Sequence, residues 1–240
     1  MSDTNGDGWD GSAAAWIASL GDSGDFSRQF VLDAPMLARV RDRGFKTALD
    51  VGCGEGRFCR MLRDAGIKPL GIDPTAALIA RALELDPGGA YRICRAEELD
   101  EPPASFDLVV SYLTLIDIAD ISRAASRFIA ALRPGGTLLI ANLTSFSTAA
   151  IYGWTTDAEG RRRFYIDNYL EERADWVAWR GIEIRNWHRP LSTYMSLFLE
   201  HGMILRHFVE PSPSGGDPDT AERYRRVPYL YIMEWEKPAA

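Results

Sequence analysis

The run Leu49-Asp50-Val51-Gly52-Cys53-Gly54-Glu55-Gly56 constrains the fold more than any other part of the chain. Ahead of the glycines, Thr47 to Val51 is apolar and β-prone. Behind them, Arg57 to Ala65 sets Phe58, Met61, Leu62 and Ala65 at helical spacing on one face. The three alternating glycines therefore form a tight turn between a strand and a helix. Lacking Cβ atoms, they let a flat or charged ligand come close to the backbone. The unpaired N–H groups at the helix start attract an anionic group.

The glycine spacing separates the candidate ligands. A dinucleotide fingerprint reads G-x-G-x-x-G, and its third glycine would fall here on Arg57, a long side chain where strand and helix must pack closely. The pattern is instead D-x-G-x-G-x-G, with Asp50 ahead of the turn. An acid there repels a pyrophosphate and suits a ligand with an ammonium, such as the methionine end of S-adenosylmethionine (SAM). The alternative is an ordinary turn in which the glycines serve geometry alone. A second clue lies further on. Lys68 to Ile72 reads as a strand ending in Asp73-Pro74, about 20 residues past the turn, where a carboxylate reaches ribose hydroxyls. Asp73 also suits the N-cap of a helix over 75–85, with Pro74 in its first turn, and the two roles are compatible.

Strands and helices then alternate. Strands are expected at 47–51, 68–72, 90–94, 106–111 and 137–142, with helices at 57–65, 75–85 and 120–132. This order predicts an α/β fold: a parallel sheet with helices on both faces, binding ligands beyond the carboxyl ends of its strands. Asp50, Asp73, Ala96, Ser111 and Asn142 all fall at such ends.

The segments DVGCGEGRF, GIDPT, RAEEL, FDLVVSYLTL and LRPGGTLLI together resemble the class I SAM-dependent methyltransferases, and more narrowly the small-molecule branch related to the ubiquinone and menaquinone methyltransferases. The resemblance is strong over residues 45–145. It implies a Rossmann-like, seven-stranded, mostly parallel sheet whose last two strands are 203–209 and 229–235, the final one antiparallel. It implies SAM as cofactor, S-adenosylhomocysteine (SAH) as product and no metal. Cofactor contacts are expected from Asp50, Gly52, Cys53, Gly54, Asp73, Pro74, Ala96, Glu97, Ser111 and Tyr112. The family's adenine-binding acid has its slot at Arg95, so Glu97 or a backbone carbonyl must replace it. The histidine found after the fourth strand in the family has its slot at Ile116. Asp117 and Asp120 are expected to face solvent or cap the next helix.

The resemblance also makes residues 1–44 a helical lid, carrying Trp9 and Trp16 over the pocket; plain packing onto the domain is the other reading. Met1 to Gly8 is expected to lack order. Arg28 either pairs with the cofactor's carboxylate through its planar fork or sits on the surface. Between residues 144 and 189 the alternation breaks into a stretch rich in aromatic residues, among them Phe146, Tyr152, Trp154, Phe164, Tyr169, Trp179 and Trp187. It reads as a substrate cap inserted after strand five, with antiparallel strands expected at 164–169 and 182–187. Most of the rings should build a satellite core, while Tyr165 and Trp176 line the substrate cavity. His188, whose ordinary pKa suits proton transfer near neutrality, is the candidate base and substrate contact, or else a histidine bonded to backbone at a helix start. Residues 190–240 hold the last helix and the C-terminal strands, within a single domain over 1–240.

A net charge of −7 argues against a nucleic-acid partner. The polar, acidic N-terminus has no signal-peptide pattern, and no apolar run suits a membrane span. Cys53, Cys59 and Cys94 lack metal-ligand spacing and read as reduced thiols of a cytoplasmic monomer or homodimer. The expected activity is methyl transfer to a nitrogen or oxygen of a small, planar aromatic or heteroaromatic metabolite. Other readings are C-methylation of a quinone-like ring and a SAM- or SAH-binding protein without catalysis; a nicotinamide-dependent oxidoreductase is disfavoured by Arg57 and Asp50.

Overall fold

The computed structural model describes residues 6–21, 23–150 and 153–239. A seven-stranded sheet forms the centre. Its first five strands are β1 (Thr47–Val51), β2 (Lys68–Asp73), β3 (Ala90–Ile93), β4 (Phe106–Tyr112) and β5 (Leu132–Leu143). They pair in parallel in the order β5-β4-β1-β2-β3. Beyond β5 come β11 (Leu230–Glu236), antiparallel to its neighbours, and β10 (Ile204–Val209) at the edge. The order reverses beside β1, which opens a crevice over the carboxyl ends of β1 and β4.

Both faces of the sheet are covered. Leu108, Val110, Leu139 and Ala141 point to one face, with Phe58 and Leu62 of helix α3 (Arg57–Asp64) and Leu32 and Met36 nearer the N-terminus. Val109, Leu138 and Ile140 point to the other, with Phe128 of α5 (Ile121–Ala131) and Phe198 of α7 (Leu191–Glu200). This alternation makes the strands read as nearly continuous apolar runs. The expected strand at 137–142 starts five residues sooner, at Leu132, which pairs with Phe106 before the register shifts across Pro134-Gly135-Gly136.

Three regions depart from expectation. The insertion forms two hairpins, not one pair of strands over 164–169 and 182–187. β6 (Gly153–Thr156) pairs with β7 (Arg162–Tyr165), and β8 (Arg173–Trp179) pairs with β9 (Ile182–His188). The second hairpin turns at Arg180-Gly181, both at positive φ, which matches strand twist in a two-residue loop. Helix α8 (Pro218–Arg226), capped by Asp217 accepting from Thr220 N at 2.8 Å, was not anticipated. The expected disorder of Met1 to Gly8 lies outside the described residues for 1–5, as does Tyr152, but Gly6 to Gly8 are placed. Asp7 is buried there, its carbonyl accepting from Arg185 N at 2.8 Å.

Helix α1 (Trp9–Leu20) lies against β9. Ser12 Oγ both donates to the Glu183 carbonyl and accepts from the Glu183 N–H, each at 2.9 Å. Gly8, at φ 89°, passes so near the Glu183 carbonyl that a Cβ would collide with it. The chain then continues through a π-helical stretch, Arg28–Leu32, into α2 (Asp33–Ala38). The N-terminal helices and the second hairpin thus meet over the crevice.

Candidate active site

The turn after β1 is stitched to the end of β2. Gly52 N and Cys53 N both donate to the Ile72 carbonyl, at 2.8 and 2.9 Å. Asp73 Oδ2 accepts from Gly54 N at 3.0 Å and its Oδ1 from Thr75 N at 2.9 Å. Gly52, Gly54 and Gly56 all have positive φ, which explains the alternating glycines. At Gly52 a Cβ would run into Thr114 from the loop after β4. Burial pushes the Asp73 carboxyl up to about 6 against the lowering effect of its two N–H donors.

Asp50 is 1 % exposed. Its Oδ2 accepts from the Cys59 thiol at 3.2 Å, and its Oδ1 has no hydrogen-bond partner. Burial pushes its carboxyl up to about 7, with Asp73 adding repulsion. A buried acid with an orphaned oxygen is a seat for a positively charged group.

These residues line a cavity at the carboxyl ends of the strands, open in part to solvent. Arg28, Asp50, Gly52, Cys53, Gly54, Asp73, Pro74, Ala96, Glu97 and Tyr112, all expected as cofactor contacts, line it together, as do Trp9 and Trp16. The Arg28 guanidinium lies 5.0 Å from the Trp16 ring centre and 5.7 Å from that of Tyr112, and it pairs with Asp25 at 2.9 Å. Arg95 stands 3.7 Å from Glu97 and 3.8 Å from Asp7. Its charge holds Glu97 at the end of β3.

Four expected site residues fall elsewhere. Ser111 is buried inside the sheet and is not a cavity residue, because its side chain alternates away from that of Tyr112. Tyr165, 50 % exposed, and Trp176, 55 % exposed, sit on the hairpins away from the cavity wall. His188 is buried with both ring nitrogens engaged: Nε2 donates to the Tyr169 carbonyl at 2.9 Å, and Nδ1 meets Thr148 Oγ1 at 2.7 Å. That geometry leaves the ring no free lone pair for a substrate proton, and burial moves its pKa below the ordinary value.

Residues that sequence reasoning missed also reach the cavity, notably Asp7, Thr114 and Asp117. Asp117 was expected to face solvent or cap a helix. Asp120 is the cap, accepting from Arg123 N at 3.0 Å, while Asp117 turns inward and accepts from Asn186 Nδ2 at 2.6 Å.

Arg57 has a structural task that fits its place beside the glycines. Its guanidinium forks onto Asp33 at 2.8 and 2.6 Å, and the same carboxylate accepts from the Tyr112 hydroxyl at 2.8 Å. The network ties α2, α3 and the end of β4 together. Asp33→Ala leaves the Tyr112 hydroxyl without this acceptor and the Arg57 guanidinium with the Ser23 carbonyl as its remaining oxygen partner, and should cost about 2 kcal/mol, read as a lower urea midpoint with an unchanged slope. An unaltered midpoint would show that the network carries no net stability.

Residues 49–140 match the family model for a methyltransferase domain. The chain is 33 % identical over 111 residues to a ubiquinone biosynthesis O-methyltransferase from Bradyrhizobium sp. strain ORS 278, covering 43 % of this chain and 44 % of that protein. It is 29 % identical over 149 residues to a malonyl-[acyl-carrier protein] O-methyltransferase from Pseudescherichia vulneris, covering 61 % and 59 %. A SAM-dependent methyltransferase structure from Mesorhizobium loti superposes with a TM-score of 0.78 at 28 % identity, covering 90 % of this chain and all of that one (100 %). The matched domain and the fold are those of SAM-dependent methyltransferases. The chain spans about half the length of the two curated relatives, 44 % and 59 %. The matched stretch runs from β1 into β5 and so contains the glycine turn, Asp73 and the loop after β4. Among the described residues, no helix is long and apolar enough to cross a membrane, and no group of three or more His, Cys, Asp or Glu is placed to hold a metal ion.

Proposed function

We propose that this chain methylates a nitrogen or oxygen of a small, planar aromatic or heteroaromatic molecule, using SAM. The orphaned Oδ1 of buried Asp50 carries the reading, because it fits the ammonium of the methionine portion. Asp73 is assigned to the ribose hydroxyls: each oxygen has one backbone donor and keeps lone-pair capacity for a ligand. Ala96 and Glu97 are assigned to the adenine, and Arg28 to the methionine carboxylate.

When bound, SAM supplies an electrophilic methyl group on a sulfonium. The protein's part is mainly positional. Trp9, Trp16 and Tyr112 shield the cavity from water and present flat surfaces to a planar acceptor. Holding two reactants in line is worth up to roughly 7–11 kcal/mol, so no strong base is required in principle. The ubiquinone-type relative, an O-methyltransferase by name, makes ring C-methylation less favoured than O-methylation.

Calorimetry with SAH and with NAD tests the cofactor assignment. SAH should bind the native chain and NAD should not. Asp73→Ala should weaken SAH about 10- to 100-fold, the worth of one or two hydrogen bonds to a charged group. Unchanged SAH affinity in that variant would sink the assignment.

A further inference from the structure

The proposed cofactor contacts leave Asp117 of the cavity wall without a task. Asp117 lies in the loop between β4 and α5, not on the strand ends that provide Asp50, Asp73 and Glu97. Its side chain is fixed by Asn186 Nδ2 on β9 at 2.6 Å and flanked by the Trp9 side chain at the start of α1. An ionised carboxylate has about four lone-pair sites, so acceptor capacity remains for a ligand.

The loop itself is clamped from behind. The buried Arg189 guanidinium donates to the carbonyls of Leu115 at 3.3 Å, Ile118 at 2.8 Å and Ala119 at 2.9 Å. Trp187 N donates to the Ile116 carbonyl at 2.6 Å. Asp117 is thus held from three sides on a braced loop, beside Trp9 and Thr114 in the cavity wall. Such preorganisation suits a group that must meet a reacting atom in a fixed position.

We propose that Asp117 receives the methyl acceptor, accepting a hydrogen bond from its N–H or O–H and taking that proton as the new bond forms. The acceptor class is therefore an amine, a ring N–H or a phenol. The inference rests on the SAM reading given above. The acceptor's lone pair forms the C–N or C–O bond while the methyl–sulfur bond breaks and its electron pair stays on sulfur. The acceptor's proton passes to the Asp117 carboxylate and then to solvent. Burial, with Asp7 and Asp73 nearby, moves the Asp117 carboxyl well above the usual range, so it takes up a proton more readily than an ordinary carboxylate.

Sinefungin, in which an amine-bearing carbon replaces the methylated sulfur, is the probe. It offers a cationic N–H donor where the transferred methyl would lie. Calorimetry should show sinefungin binding the native chain at least tenfold more tightly than SAH. In Asp117→Asn that preference should fall at least tenfold, while SAH affinity stays within twofold. Equal affinities for the two ligands in the native chain would overturn the proposal whether or not the variant folds, as would an unchanged preference in a folded Asp117→Asn. If the native chain binds neither ligand, the SAM reading itself fails, a result distinct from SAH binding without the preference.

Discussion

Replacing Asp50 with asparagine is expected to make the ligand-free protein harder to unfold at pH 8 while removing its hold on SAH. Asp50 is held at about 7 in the folded chain against 3.8 for an ordinary aspartate, chiefly by burial. A rise of that size corresponds to about 4 kcal/mol at most. The folded state holds the proton more tightly than the unfolded one. The favourable contribution is therefore complete below pH 3.8 and is lost as the pH climbs through about 7. Asp73, raised to about 6 by burial, adds to the same trend. Asparagine never ionises and escapes this loss. Its amide nitrogen, placed where Oδ1 now lacks a partner, costs about 1–3 kcal/mol in return. The net gain should be about 1–3 kcal/mol at pH 8 and smaller at pH 5, measured by urea unfolding at both. SAH affinity should fall more than about 100-fold, the scale of a lost buried charge pair. An Asp50→Asn protein that is less stable than wild type at pH 8 and still binds SAH would refute the account of this acid.

The second large effect concerns Arg189. Only 2 % exposed, it places its guanidinium on three backbone carbonyls and 4.9 Å from the centre of the Trp187 ring. The nearest acid, Glu172, is 3.9 Å away and largely in solvent, so the carbonyls are the main partners. Arg189→Met removes the charge and leaves those carbonyls unpaired in the interior. The expected loss is about 3–5 kcal/mol of stability. Hydrogen exchange should quicken over residues 113–120, which hang from those bonds. Arg189→Lys should restore only part of the loss, because one ammonium cannot span acceptors that a planar fork reaches together. Normal protection of this loop in a folded Arg189→Met would show that it is braced by something else.

The core was legible because its signals are local. Glycines at positive φ, an acid ahead of the turn and continuous apolar strands each report on a few neighbouring residues. The insertion was harder to read. Alternation marks a strand but does not name its partner, and the pattern of Phe164 to Tyr169 reads as one strand although β7 ends at Tyr165. Only the Arg180-Gly181 turn betrays the second hairpin, through a glycine that tolerates positive φ. Asp117 was misjudged for a related reason. Beside Asp120 it reads as one of two helix caps, and its true neighbours are Trp9 and Asn186, the latter 69 residues further on. Asp7 sits in a polar, acidic tail whose composition says nothing of the backbone bond from Arg185 that buries it. His188 drew notice by its chemistry, yet its surroundings show a ring fully occupied by Thr148 and Tyr169.

The reciprocal pair of hydrogen bonds between Ser12 and Glu183 has a bearing on traffic through the cavity. It joins the leading helix and the second hairpin into one jaw, although they lie far apart along the chain. A molecule entering or leaving on that side must lift both together or break the pair.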